Sequence, residues 1–537
     1  MRPFHPLRVA ALTCTLAAAA SAQDVLTVVQ QVDVDDLGQP AKAMGRWGSI
    51  TADGNHVIFS SFADDLVPGD TNKAEDIFLR DLNTGLVTRL SVASDGSEVT
   101  QSACRPGISG NGRFAVFECV DDCLVPGDTN GESDVFVRDT WSDEIQRVSL
   151  GAVAIEADGL CCEGAISQDG RWVAFASEAT NLDGGIAPGS RHIYLRDLIH
   201  QRTKRISGEG WLAMPTICET PSIAAHGYRV AFAARNLVAT VGVPPGSSQI
   251  YYWNQWDGGI ELVSTDDNMR PANADCIAPK LSDDGRFVIF ESRADNLVDG
   301  DTNGLSDIFL RDLFRGETHR VSRSTLGDEP NGDCFGASVS SNGRYVVFNS
   351  KATNLAAPIY TGDSGVFVSD LKTGVVQQLS VNSFGIGANG TSLALGERAI
   401  SGDGRFVVFD SFATNLTKAQ PAPGSSVFAF DRRLAGVELE VLADTIGQRL
   451  VVQGRGITPG GLMLLGITTH GQGPTPSPLG LVDLTLPVTW FLAVGDGEYH
   501  ADVHLPLYWG LYGQVLYMQA VDIDTMRHSN ARAVPAM

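Results

Sequence analysis

The chain has 537 residues, 43% hydrophobic and 19% charged, a composition that excludes a disordered protein and allows a large core. Its 39 Lys and Arg against 63 Asp and Glu give a net charge of −24, which argues against nucleic acid or an anionic membrane as the main partner and favours cations. Gly is abundant at 58 residues, as suits a fold built on tight turns.

The first 22 residues read as a secretory signal. Arg2 and Arg8 supply a positive start, Val9 to Ala20 is small and apolar, and Ala20-Ser21-Ala22 is an A-x-A cleavage site, so the mature chain is expected to begin at Gln23 and to be secreted or periplasmic. Cys14 lies mid-way through the apolar run, a poor place for lipidation. No later stretch offers about 18 uninterrupted apolar residues, so no transmembrane segment is expected.

From residue 23 to 435 one unit recurs. A turn dipeptide stands at Asp53-Gly54, Asn111-Gly112, Asp169-Gly170, His226-Gly227, Asp284-Gly285, Asn342-Gly343 and Asp403-Gly404, with the glycines 58, 58, 57, 58, 58 and 61 residues apart. Asp-Gly and Asn-Gly fit two-residue type I′ hairpins. Each turn is followed by an alternating strand such as Arg113-Phe114-Ala115-Val116-Phe117, then by a second such as Val135-Phe136-Val137-Arg138-Asp139, then by a third such as Gln146-Arg147-Val148-Ser149. With the strand before the turn, each unit has four strands and no helical period, which is the pattern of a propeller blade. Val28 to Val34 matches an outermost strand without inner strands of its own, since Val32 lies one period before Leu90. It is expected to complete the last blade, with inner strands from residues near 395 to 431, and so to close a seven-bladed ring.

The ordered motifs Ser-x-Asp-Gly-Arg-aromatic-Val-x-Phe, Asn-Leu-Val-x-Gly-Asp-Thr-Asn-Gly and Asp-Ile/Val-Phe-Leu/Val-Arg-Asp resemble the TolB-like, WD40-like bacterial β-propeller repeat family over residues 27 to about 435. The resemblance implies an exported propeller that binds or scaffolds, without implying one activity. Residues 436 to 537 lose the repeat. Short alternating runs such as Leu439-Glu440-Val441-Leu442 and Val515-Leu516-Tyr517-Met518, separated by Gly and Pro, read as a small C-terminal β-sandwich module.

Three units carry an acidic loop between the second and third strands: Asp70, Asn72 and Asp76; Asp128, Asn130 and Asp134; Asp301, Asn303 and Asp307. Short oxygen-bearing side chains at positions 1, 3 and 7 of such a loop suit Ca²⁺. The other units lack all three together, having Ile186, Pro188 and His192 in the third, Ile359, Thr361 and Gly365 in the sixth, and Gln420, Ala422 and Ser426 in the seventh. Asp64, Asp122 and Asp295 follow the same rule, with Thr180, Arg235, Thr353 and Thr414 elsewhere. Up to three structural calcium sites are therefore expected, with Asx-turns and strand capping by Asp and Asn as the alternative.

Eight cysteines remain after the signal, and Cys104, Cys162, Cys218, Cys276 and Cys334 fall near one repeat position, expected on inner strands around the channel as disulfides, buried thiols or a thiolate metal site. Gly362-Asp363-Ser364-Gly365 and Ala224-Ala225-His226 resemble serine-protease motifs, but the repeat register puts them on separate blades. The Arg80-Asp81, Arg138-Asp139, Arg196-Asp197 and Arg311-Asp312 pairs read as turn and inter-blade residues. Trp211, Tyr251, Tyr252, Trp253 and Trp256 read as inter-blade packing or as a carbohydrate- or peptide-binding face. The function expected is a secreted, calcium-stabilised, monomeric propeller that binds a protein or carbohydrate or serves as a scaffold. The alternative is a glycosidase- or lyase-type enzyme at the channel mouth, although no catalytic set stands out.

Overall fold

The computed structural model describes residues 29–432, apart from 184–188, 209–214, 238–241, 357–362, 383–384 and 418–423, and the backbone of strands between 438 and 535. The expected signal peptide, Trp211 and several loop positions of the third, sixth and seventh units lie outside the described residues. Two units are present, one spanning Val29–Phe430 and the other running from Asp431 onward.

The first unit is a seven-bladed propeller. Seven four-stranded antiparallel sheets follow in chain order. Blade 2 is representative, with an inner strand Ala103–Ile108, then Phe114–Cys119, Asp134–Asp139 and an outer strand Ile145–Arg147. In every blade one aromatic on the second strand lies directly opposite one on the third. Phe59–Phe78, Phe117–Phe136, Phe175–Tyr194, Phe232–Tyr251, Phe290–Phe309, Phe348–Phe367 and Phe409–Phe428 stack with centroids 5.6–6.3 Å apart. Repetition at 58 residues thus places one cross-strand aromatic pair in each sheet.

Blade 7 closes as expected. Val29–Gln31 pairs with Ser426–Asp431, placing Val29 opposite Phe430, and Val32 N–H donates to Val427 O at 2.7 Å. At the seam the residue types of a recurring polar position are exchanged. In blades 1 to 5 a serine just past the outer strand bonds the first residue of the third strand, as Ser322 bonds Asp307; here Asp33 takes the serine's place and Ser426 the aspartate's.

The hairpins differ from the type I′ expectation. Thr51 N–H bonds His56 O at 3.0 Å around a four-residue loop, and in that loop only Gly54 takes a positive φ, 77°. Asp53 instead turns its carboxylate back to accept from Asn55 N–H at 3.0 Å and from Thr51 Oγ1. The glycine has a second reason to be there: a Cβ on Gly170 would lie 2.3 Å from the Phe114 ring of the preceding blade, and one on Gly54 equally close to Phe406 across the closure.

In the second unit, Glu438–Ala443, Arg449–Arg455 and Glu498–His504 form one antiparallel sheet. Thr489–Val494, Leu462–Thr468 and Val515–Asp522, with two short strands, form another, and Gln472–Ser477 pairs with Gly480–Leu484. Among the described residues no helix is long and apolar enough to cross a membrane.

Candidate functional site

Each blade has a hairpin end, carrying the Asp-Gly turns, and a loop end, carrying the segments between second and third strands. The acidic loops of blades 1, 2 and 5 bring their predicted residues together at the loop end, but around an arginine. In blade 2, Arg147 Nη1 lies 2.8 Å from Asp128, 3.4 Å from Asp134 and 2.7 Å from Glu156. Arg89 stands likewise 2.9 Å from Asp70, 3.7 Å from Asp76 and 2.6 Å from Glu98. Arg320 lies 3.1, 3.4 and 2.7 Å from Asp301, Asp307 and Glu329. The glutamate comes from the loop leaving the outer strand, where it also accepts the N–H and hydroxyl of the loop threonine, as Glu156 does from Thr129 at 2.7 and 2.8 Å.

The third loop position serves the loop itself. Asn130 Nδ2 donates to Asp134 at 3.0 Å, and its Oδ1 accepts from Glu132 N–H at 2.9 Å; Asn72 and Asn303 repeat both bonds. Ser91, Ser149 and Ser322 donate to the other oxygen of Asp76, Asp134 and Asp307. Asp64, Asp122 and Asp295 are exposed, and their charge lifts Asp70, Asp128 and Asp301 further without a bond to the arginine. Burial is the larger cause and pushes Asp70 and Asp301 up to about 6 and Asp128 up to about 7.

This arrangement does not fit a dedicated calcium cage of six to eight oxygens. The guanidinium occupies the point on which the carboxylates converge, and the oxygens at positions 3 and 7 are committed to the loop and the serine. Among the described residues no group of three or more His, Cys, Asp or Glu side chains is disposed to hold a metal. The sequence reading omitted the arginine and the glutamate. The glutamate was open to detection, because Pro271 and Gly387 replace it in blades 4 and 6.

The channel acids have structural partners. Six inner strands shift register after their second or third residue, and Trp47, Arg105, Glu163, Thr220 and Ala278 there take φ of 49–60°. Such a backbone costs about 1 kcal/mol or more per residue. The freed N–H is then captured by the neighbouring blade. Glu118 accepts from Glu163 N–H at 2.5 Å, Glu163 from Thr220 at 2.6 Å, Glu291 from Gly336 at 2.5 Å, and Asp410 from Trp47 at 2.8 Å. Asn349 does the same for Ala394 at 2.7 Å. Burial pushes Glu118, Glu291 and Asp410 up to about 7.

The channel is crossed near its hairpin end. The spacing of 61 residues before Gly404 marks three extra residues on the inner side of blade 7, where the strand proper is only Ser392–Leu393. The chain beyond it carries Glu397 to Lys280 of blade 5, and Arg398 bonds Asp283 of blade 5 at 2.9 and 3.0 Å. A Cβ on Gly107 of blade 2 would lie 3.7 Å from Glu397, so this side chain reaches from one wall to the opposite one.

The cysteine register is corrected by one residue. Cys161, Cys218, Cys276 and Cys334 are the equivalent set, opposite Ser177, Ala234, Ser292 and Ser350, and they lie buried between blades rather than around the channel. Cys104 and Cys162 sit one position further and therefore face the other side of the sheet. All eight are free thiols, and burial holds Cys218, Cys276 and Cys334 up at about 12. Ser364 is buried at a loop end, whereas His226 is exposed in a hairpin turn, so the protease-like motifs do not meet. The Arg-Asp pairs divide their work: Arg138 reaches back to Val92 O of blade 1 at 2.6 Å, while Asp139 holds Arg113 of its own blade. Tyr251, Tyr252 and Trp253 are packed in the core, and Trp256 is exposed.

No family model matches the chain, and no curated protein matches it. Among solved structures it is similar to TolB from Acinetobacter baumannii, at 14% identity and a TM-score of 0.34, over 57% of this chain and 59% of that one. It is also similar to a protein from Agrobacterium tumefaciens assigned as TolB, at 15% identity and a TM-score of 0.35, over 56% of this chain and 87% of that one. An oligogalacturonate lyase in complex with manganese aligns at 13% identity and a TM-score of 0.45, over 76% of this chain and 95% of that one. The chain thus spans less than two thirds of the first of these, and its propeller architecture stands on its own blade topology.

Proposed function

We propose that this chain is an exported TolB-like propeller that binds a macromolecule or holds partners together, and that it does no chemistry at its channel. The observation that supports this reading is the commitment of the channel's acids. Glu118, Glu163, Glu291 and Asp410 hold backbone N–H groups of the next blade, and Arg398 with Glu397 closes one end. An acid engaged in this way is poorly placed to exchange protons with a substrate. Export is supported by Arg2, Arg8 and the Ala20-Ser21-Ala22 site.

Calcium stabilisation is the competing account of the three loops. Three carboxylates against one guanidinium in each loop favour it; the occupied centre opposes it. The chain from residue 23 on, applied to a combined glycan and protein array and assayed in parallel for release of reducing or unsaturated sugar ends, tests the main reading. Saturable binding without turnover is expected. Turnover by the purified chain, or no binding to any feature, overturns it.

A further inference from the structure

Four consecutive blades place an apolar side chain at the same exposed position, in the turn between third and outer strands. Trp141, Ile199, Trp256 and Phe314 are exposed at 71, 68, 80 and 87%. Blades 1 and 6 carry Asn83 and Lys372 there, so the row begins at blade 2 and stops at blade 5. These turns lie at the hairpin end, because Arg113 beside the hairpin bonds Asp139 at the start of the turn.

The three rings among them are braced from beneath. The Arg113 guanidinium lies 4.8 Å from the Phe114 ring and 5.0 Å from Trp141; Arg286 lies 4.7 Å from Phe287 and 5.8 Å from Phe314. Tyr228 sits 5.9 Å from Trp256. Both arginines are gripped by two carboxylate oxygens, those of Asp139 and Asp312, so their charge is cancelled. The result is a row of separate, pre-ordered aromatic platforms whose bracing arginines carry no free charge; the exposed charges left in these turns, Glu144, Asp257 and Arg315, are few and of both signs on a chain of net charge −24. Platforms on separate blades suit a repeating partner better than one compact surface. Low local charge on so acidic a chain favours an uncharged partner over a polycation, which the rest of the surface would draw away, and over a polyanion, which it would repel. Flat sugar rings present a face of C–H groups to an aromatic π-face.

We propose that this arc docks a neutral polysaccharide, with sugar rings stacked on Trp141, Trp256 and Phe314. The proposal rests on the binding reading above and gives it a ligand class. Native electrophoresis of the chain from residue 23 on, in gels containing soluble β-glucan, xylan, galactomannan or polygalacturonate, tests it. At least one neutral polymer is expected to retard the protein, and the Trp141→Ala/Trp256→Ala double variant is expected to lose about tenfold in affinity with an unchanged melting temperature. Phe314→Ala provides an independent second variant. Retardation by polygalacturonate alone, no retardation by any neutral polymer, retardation insensitive to both variants, or a dimer that these substitutions dissolve would each overturn the proposal. If the array shows a protein ligand while the gels show nothing, only this inference fails; if the array is blank, the binding reading itself fails.

Discussion

Blades 2 and 4 secure the same strand end by opposite chemistry. In blade 4, Gln249 begins the third strand, accepts the Ser264 hydroxyl at 2.7 Å and donates to Ala274 O at 3.0 Å and Ser247 Oγ at 3.2 Å, so that a neutral group is satisfied there. Blade 3 uses His192 against Ser207, and burial lowers its imidazole to about 4, so that it too stays neutral. In blade 2 the same place holds Asp134, fully buried. A buried carboxylate needs a countercharge, and Arg147, Asn130, Asp128 and Glu156 accompany it. The acids and the asparagine are present or absent together because one buried charge obliges its partners, whereas the arginine also stands in blade 3 as Arg205.

The largest effect should come from removing the countercharge in a charged blade. Arg147→Met leaves three clustered carboxylates without their cation and should cost about 3–5 kcal/mol of stability by denaturant unfolding. Arg205→Met, at the equivalent place in blade 3 where a neutral histidine faces the strand, should cost about 1 kcal/mol or less. Equal losses would break the comparison. Next, Asp128→Asn/Asp134→Gln/Arg147→Met/Glu156→Gln makes blade 2 as neutral as blade 4. It should recover all but about 1–2 kcal/mol of the loss, since whole buried ionic sets are replaced more cheaply than they are halved.

A smaller effect concerns the channel, where blade 6 uses Asn349 for the clamp that Glu118, Glu291 and Asp410 make. These acids are held near 7 by burial, so between about pH 4.5 and 7 the folded chain keeps protons that the unfolded chain has released. Stability should fall as pH rises through that window. Glu98 and Glu329 are held near 2 by hydrogen bonds from Thr71 and Thr302, so their contribution is present above about pH 4.5 and lost toward pH 2. Melting temperature against pH should therefore peak near about pH 4–5. Glu118→Gln should flatten the upper slope while leaving the peak in place; an unchanged slope would remove Glu118 from the account.

The blades, their count and the closing strand were legible because a 58-residue period aligns hairpin glycine, strand and aromatic in one register, and Val32 falls one period before Leu90. The site was half legible. Convergence of Asp128 and Asp134 was readable from loop spacing, but the object of convergence was not. Arg147 is 19 residues away from Asp128 on a different strand, and only the sheet brings it back. The cysteine set was misread by one position because Cys162 lies beside Cys161, and a one-residue shift reverses the face of a strand. The channel crossing was signalled by the single 61-residue spacing, whose meaning depends on which wall the extra residues meet.

The claim that arginine is the cation of these loops is tested most directly by calorimetric titration of the metal-free chain with Ca²⁺ at millimolar concentration, alongside its melting temperature with and without chelator. Arg89, Arg147 and Arg320 already occupy the three loop centres. The account predicts no saturable binding and no change in melting temperature. Three bound ions per chain, with a rise in melting temperature that chelator abolishes, would contradict it.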